Sequence, residues 1–309
     1  MAILETNPNE SQPKMASPLR VFTIFLIFFA LFQLLAGIAM VGYGLFFGMN
    51  FQTVQNVLAN NAIGADPNFQ RGIILINHLF VFILPSLLTA WVVAKRKWFV
   101  LLKLDKQPIL EMLSWGILWF VVSAPLVQFA YKINMKIPLP AWMKIMEKSN
   151  DDLLKSILNV DTPLQMLAVV FLVAVIPGMG EEMLFRGTVQ QQFARMIKNP
   201  HIAIWLSAAF FSAIHFQFEG FLARMILGGL LGYLFYWSNN LWVPAIIHFL
   251  NNGLQVIGMF VMKIKPTDLD NYKDIGVTWW MALISLTLCI VIGNHIASNS
   301  YFAAQKQQE

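Results

Sequence analysis

Apolar residues along this chain fall in long unbroken blocks, not in the alternation of a half-buried strand. Val21 to Phe47 is nearly continuous apolar, and seven more blocks follow at roughly 72–94, 109–131, 163–183, 201–217, 221–237, 241–262 and 277–296. Each block is close to the ~20 residues that a helix needs to cross a bilayer core. Helices satisfy every backbone N–H and C=O within one segment, where lipid offers no partner. The pattern predicts an all-α integral membrane protein, a bundle of eight transmembrane helices with both termini on one side. The first block is too long for a signal-peptide core and no small-residue cleavage signature follows it, so it reads as a retained span.

Charge orients the bundle. Lys95, Arg96, Lys97, Lys103 and Lys106 cluster after the second block, whereas the first loop carries only Arg71, at its end. Positive residues collect on the cytoplasmic side, which favours cytoplasmic termini in the cell (plasma) membrane. Residues 132–160 carry lysines on the opposite side, together with Glu147, Asp151 and Asp152. There the spacing of Trp142, Ile145, Met146, Leu153, Leu154 and Ile157 suits an amphipathic helix lying in the interface.

Composition agrees: 58% of the 309 residues are hydrophobic and 12% charged, against about 25% charged in soluble domains. The net charge of +5 suits anionic lipid headgroups, and the absence of a basic stripe with interleaved aromatics argues against nucleic acid. The single cysteine, Cys289, excludes a disulfide framework and a Cys-rich metal site.

Against this background, charges inside the blocks stand out, because each costs about 2.5–3.5 kcal/mol on insertion scales. The fourth block ends in Pro177-Gly178-Met179-Gly180, and helical composition resumes from Glu181 to about Lys198. Such an element exceeds the bilayer core in length and must kink, tilt or project, with Pro177 and the two glycines as the cause. Glu182 and Arg186 are four apart and can pair on one face. Glu181 is rotated by about 100° and is left for chemistry. The bland alternative is a salt bridge at a helix end. His215 follows in Phe211-Ser-Ala-Ile-His215, and His248 and Asn252 share a face of the seventh block. A lone histidine more often packs than reacts, and polar residues four apart often glue helices together.

If the fourth block descends to Lys198 and the fifth returns from His201, Glu182 and His215 lie within a turn of each other in height. An intramembrane polar cavity follows, in which a glutamate and histidines deprotonate a water. A histidine and an asparagine there can donate to the oxyanion of an attacked carbonyl.

EEMLFR, FSAIH and HFLNN stand in order on successive membrane segments. They resemble the EExxxR, FxxxH and HxxxN motifs of the CPBP (Abi, or CAAX-protease) family of intramembrane proteases, whose relatives include Ras-converting CAAX prenyl endopeptidases and lysostaphin-resistance-type proteins. The resemblance covers about residues 163–255. It implies an eight-helix endopeptidase with residues 161–262 as its catalytic core. A disordered tail (1–20), three helices with an amphipathic linker (21–160) and a last helix with its tail (263–309) would flank that core. It implies Glu181 as water activator, Glu182 with Arg186 as its support, His215 binding the water, and His248 and Asn252 holding the oxyanion. It leaves a divalent metal open. If one binds, zinc would take Glu181, His215 and His248, although no HExxH occurs. The implied partners are membrane lipid and a peptide or protein substrate.

Two other classes compete: a non-catalytic immunity or scaffold protein that keeps the motifs as structure, and a transporter, which the lack of an inverted repeat disfavours. No GxSG or GxGD motif points to another intramembrane protease. Gly228 to Gly232 reads as a helix-packing face, Gly44 to Gly48 as chance, and Asn77 and His78 as residues that could line the cavity. His201 and His295 read as interfacial. Glu111 suits a helix start, and Trp98, Trp279 and Trp280 suit an aromatic belt.

Overall fold

The computed structural model describes residues 16–59, 65–268 and 276–299. Of the tail expected over 1–20, residues 1–15 lie outside these segments, and helix already begins at Pro18. Among the described residues there is helix and no strand. In chain order the elements are α1 (Pro18–Phe46), α2 (Phe51–Ala59), α3 (Pro67–Leu101), α4 (Leu110–Asn134) and α5 (Ala141–Ile157). They continue as α6 (Pro163–Ile197), α7 (Pro200–Ala213), α8 (Phe221–Ser238), α9 (Trp242–Val261) and α10 (Trp279–Asn299). Among the described residues, 7 helices are long and apolar enough to cross a membrane: α1, α3, α4, α6, α8, α9 and α10. The chain is a multi-pass integral membrane protein of the all-α class.

The fifth expected span, 201–217, is observed as α7, which has only 14 residues. It stops where Phe216 takes a left-handed φ of 51°, which turns the chain out of the helix just after His215. With α7 beside the seven long helices, the bundle has the eight segments that the apolar blocks predict.

Several helices start at the same two-residue device. Ser17, Asp66, Thr162 and Asn199 each precede a proline and accept hydrogen bonds from backbone N–H groups of the first turn. The capping oxygen satisfies donors that the helix cannot, and proline at the first helical position gives up an N–H that would have no partner there anyway. Thr162 forms a full capping box with Gln165.

Proline acts differently inside a span. It lacks the N–H that the carbonyl four residues earlier expects. In α6 the helix is not broken at Pro177 but widens into π-helix over Phe171–Val175 and again over Phe185–Gln190. Val173, four residues before Pro177, receives its hydrogen bond from Asn252 Nδ2 of α9 at 3.1 Å. In α4, around Pro125, Ser285 Oγ of α10 accepts from Leu126 N (3.3 Å) and donates to Val122 O (2.6 Å). A polar side chain from another helix thus serves the carbonyl freed by Pro177 in α6 and the backbone pair next to Pro125 in α4.

Val173 packs in an apolar cluster with Val170, Ala174 and Val256, and two further clusters tie the helices together. Trp119, Leu234, Val243 and Ile247 lock α4, α8, α9 and α10 together, while Phe25, Val81, Leu184, Phe185 and Phe211 join α1, α3, α6 and α7. Gly178 lets α6 and α9 meet backbone to backbone: a Cβ there would lie 3.1 Å from Phe249 N and 3.2 Å from Ala245 O. The result is an α6 that is buried almost continuously from Ile176 to Gln190, the stretch that carries the glutamates. Gly44, in the GxxxG pattern first read as chance, is also occupied, by Val54 of α2.

Candidate active site

Glu181 and Glu182 follow the close α6–α9 contact at Gly178, and their environments differ. Glu182 is fully buried, and its Oε1 accepts from Arg186 Nη1 at 2.7 Å and faces His248 Nδ1 at 2.8 Å. Arg186 uses Nη2 to donate to Gly228 O of α8 at 2.8 Å, and its guanidinium lies 5.1 Å from the centre of the Phe211 ring. The charge is therefore paired with one carboxylate and tied to a third helix. One turn later, Gln190 Nε2 donates to Gly232 O at 2.9 Å. The Gly228–Gly232 pair is a packing face, as its spacing suggests, and also a ladder of backbone acceptors. A Cβ at Gly232 would come within 2.8 Å of Gln190 Oε1.

Glu181 faces the other way, into a group of imidazoles. Its Oε2 stands 3.8 Å from His215 Nε2 and 3.8 Å from His248 Nε2, and its Oε1 stands 3.5 Å from His78 Nε2. The hydrogen bonds on the far side of each ring settle which atom faces Glu181 as an acceptor. His215 Nδ1 meets Phe211 O at 2.7 Å, and His78 Nδ1 meets Ile74 O at 3.1 Å. A carbonyl only accepts, so both Nδ1 atoms carry the hydrogen. His248 Nδ1 likewise donates to the Glu182 carboxylate. Each ring therefore turns Nε2 toward Glu181, as an acceptor when the ring is neutral and as a donor when it is protonated. A carboxylate and lone pairs collected in this way hold a hydrogen-bond donor such as water, and they accept its proton.

The sequence motifs meet in space to different degrees. Glu181, Glu182, Arg186, His215 and His248 form one connected group. Asn252 lies one turn beyond His248 on α9, where its Nδ2 donates to Val173 O and its Oδ1 accepts from Asn251 Nδ2 at 2.9 Å. One N–H of its amide is thus committed to α6, and the amide carries a second. His78 joins the group from α3. An ionisable residue inside an apolar block is the signal that marks it, although no spacing rule ties it to the three motifs.

His215 lies in a loop, and that loop is gripped from outside. Asn150 Nδ2 of α5 donates to Phe216 O at 3.0 Å and to His215 O at 3.4 Å. Glu147, buried on the same helix, accepts from Phe218 N and, at 3.2 Å, from Glu219 N. Asn134, at the end of α4, donates to Phe218 O and accepts from Leu222 N. Arg224 donates to the carbonyl oxygen of Gln217. The amphipathic helix expected over 132–160 is observed as α5, and it serves as the clamp on the histidine loop.

Zinc places two donors of its shell about 3.3 Å apart, less than the 3.8 Å between Glu181 Oε2 and either Nε2. Among the described residues, no group of three or more His, Cys, Asp or Glu is arranged to hold a metal ion. The donor set in this geometry does not fit one.

Comparison with known proteins falls on the same part of the chain. Residues 163–254 match the family model described as "Type II CAAX prenyl endopeptidase Rce1-like". The uncharacterized protein YpbD of Bacillus subtilis (strain 168) is 34% identical over 86 residues, which is 26% of this chain and 40% of that protein. The chain therefore matches well under half the length of this curated relative. No solved structure matches.

Proposed function

We propose that this chain, which belongs to the CAAX-protease family through its residues 163–254, is an intramembrane endopeptidase that hydrolyses a peptide bond with a water activated by Glu181. The observation that supports this reading most is the buried Glu181 carboxylate, with two motif histidines at 3.8 Å from one oxygen.

In the proposed reaction, a water held by His215 loses a proton to Glu181 Oε2 as its oxygen attacks the substrate carbonyl carbon. The carbonyl π pair moves onto oxygen and forms an oxyanion. The protonated His248 and the second N–H of Asn252 donate to it. Collapse of the oxyanion breaks the C–N bond, and Glu181 returns its proton to the leaving amine. Glu182 holds His248 through Nδ1, and Arg186 balances the Glu182 charge. The substrate is a peptide or protein segment that reaches the bilayer, and no nucleic acid is involved. The chain resides in the plasma membrane with cytoplasmic termini.

The test is cleavage of a peptide library by the purified protein in detergent or vesicles. Wild type cleaves, while Glu181→Gln keeps its fold and loses turnover. Full turnover in Glu181→Gln refutes the mechanism. A wild type inert to every peptide refutes the peptidase reading in favour of a scaffold.

A further inference from the structure

Glu181 presents its two oxygens to different parts of the protein. Oε2 faces His215 and His248, both from the family-matched segment. Oε1 faces His78 of α3, which lies outside that segment, at 3.5 Å. We propose that His78 is a positioning residue: its Nε2 holds Glu181 Oε1, fixes the carboxylate plane and thereby aims Oε2 at the reacting water.

The ring of His78 is itself held by two further contacts. Nδ1 donates to Ile74 O one turn back in α3 at 3.1 Å. One face stacks on Phe82, with centroids 5.3 Å apart and planes 28° from parallel. His78 is the last α-helical residue before the π-helix Leu79–Ile83. Phe82 and Ile83 of that turn press on α6 at Gly180, where a Cβ would lie 2.8 Å from Ile83 Cγ1. The backbone that carries His78 is thus seated directly beside the residue that precedes Glu181. Because Nδ1 is committed to Ile74 O, Nε2 holds Oε1 as a donor in the imidazolium form, in which both ring nitrogens carry a hydrogen. A carboxylate on a buried helix face has two rotatable bonds beyond Cβ, and the motif histidines restrain only one of its oxygens. His78 restrains the other.

The kinetic arm of this idea rests on the peptidase reading, and the spectroscopic arm does not. Two replacements separate positioning from packing. His78→Phe keeps a ring on Phe82 and removes the donor. His78→Gln gives up the ring and keeps a donor at nearly the reach of Nε2. Positioning predicts that His78→Phe lowers kcat by about tenfold to a hundredfold, the scale of a misplaced reacting group, with KM little changed. His78→Gln recovers most of that loss. Packing predicts the reverse order, and that order overturns the proposal. The second readout is the infrared carboxylate stretch of Glu181, assigned by difference against Glu181→Gln. It shifts in His78→Phe and returns toward wild type in His78→Gln. An unchanged band in His78→Phe overturns the proposal even if no peptide is ever cleaved. A shifted band in a protein that cleaves nothing leaves His78 as the residue that positions Glu181 and removes only the peptidase reading.

Discussion

Arg186 serves three partners at once: the Glu182 carboxylate, Gly228 O and the Phe211 ring. Removing it leaves a buried carboxylate with no countercharge, so Arg186→Ala should cost about 3–5 kcal/mol. Thermal or denaturant unfolding in detergent reads this directly, and an unchanged midpoint would mean that the pair carries no stability. Asn252 has a separable structural duty. In Asn252→Ala the Val173 carbonyl loses its donor, at a cost of about 1–3 kcal/mol, beyond any effect on turnover. The Glu182–Arg186 pair was legible in the sequence because helical spacing alone brings such residues together. The partner of Val173 was not. A carbonyl freed by proline leaves no mark on the chain that says which distant side chain will serve it. His78 was visible only as a polar residue inside an apolar block. Its meeting with Glu181 depends on how α3 packs on α6, and local spacing does not contain that.

At the level of elements, α5 is where pH should act. Burial of the Glu147 carboxyl holds it above the usual carboxylate range, outweighing the two backbone N–H groups that pull it down. The folded chain then binds that proton more tightly than the unfolded chain. By linkage, stability falls as pH rises from the ordinary carboxylate range toward the raised value in the fold. Glu147→Gln carries no such proton. Its unfolding midpoint should stay level through the window in which wild type declines, and parallel curves would refute the assignment. Ser285 gives a second test: Ser285→Ala leaves Leu126 N and Val122 O unserved at Pro125 and should lower stability by about 1–3 kcal/mol, read by the same unfolding assay. The amphipathic period of α5 was legible, but its task was not, because the loop it grips lies on the far side of α6 and α7 in the chain. The helix starts near 72, 163 and 201 were legible as block edges, while the caps at Asp66-Pro67, Thr162-Pro163 and Asn199-Pro200 came only with the structure. The π-helical turns were not, since they record tertiary strain and not composition.

For the whole molecule, the apolar blocks predict eight spans, and the structure has seven long helices with the fifth expected span shortened to Pro200–Ala213. Their orientation rests on the basic cluster at the end of α3 and just beyond it, Lys95 to Lys106. Reporter fusions at residue 100 and at the C-terminus should both signal cytoplasm, and an external signal at residue 100 would invert the topology.

The shortness of α7 has a consequence for the surrounding lipid. Fourteen residues rise about 21 Å, against a hydrocarbon core of about 30 Å. The deficit falls at the end that carries His215. Acyl chains that compress there would leave a dimple that admits water to the carboxylate. A thicker bilayer resists that compression, at a cost that grows with each ångström of mismatch. In vesicles of matched headgroup, turnover should therefore fall as the acyl chains lengthen, while the rate in detergent serves as the reference. Equal rates across the series would show that the dimple is built by protein alone. A falling series would make the protein a gauge of bilayer thickness, fastest where the membrane is thin.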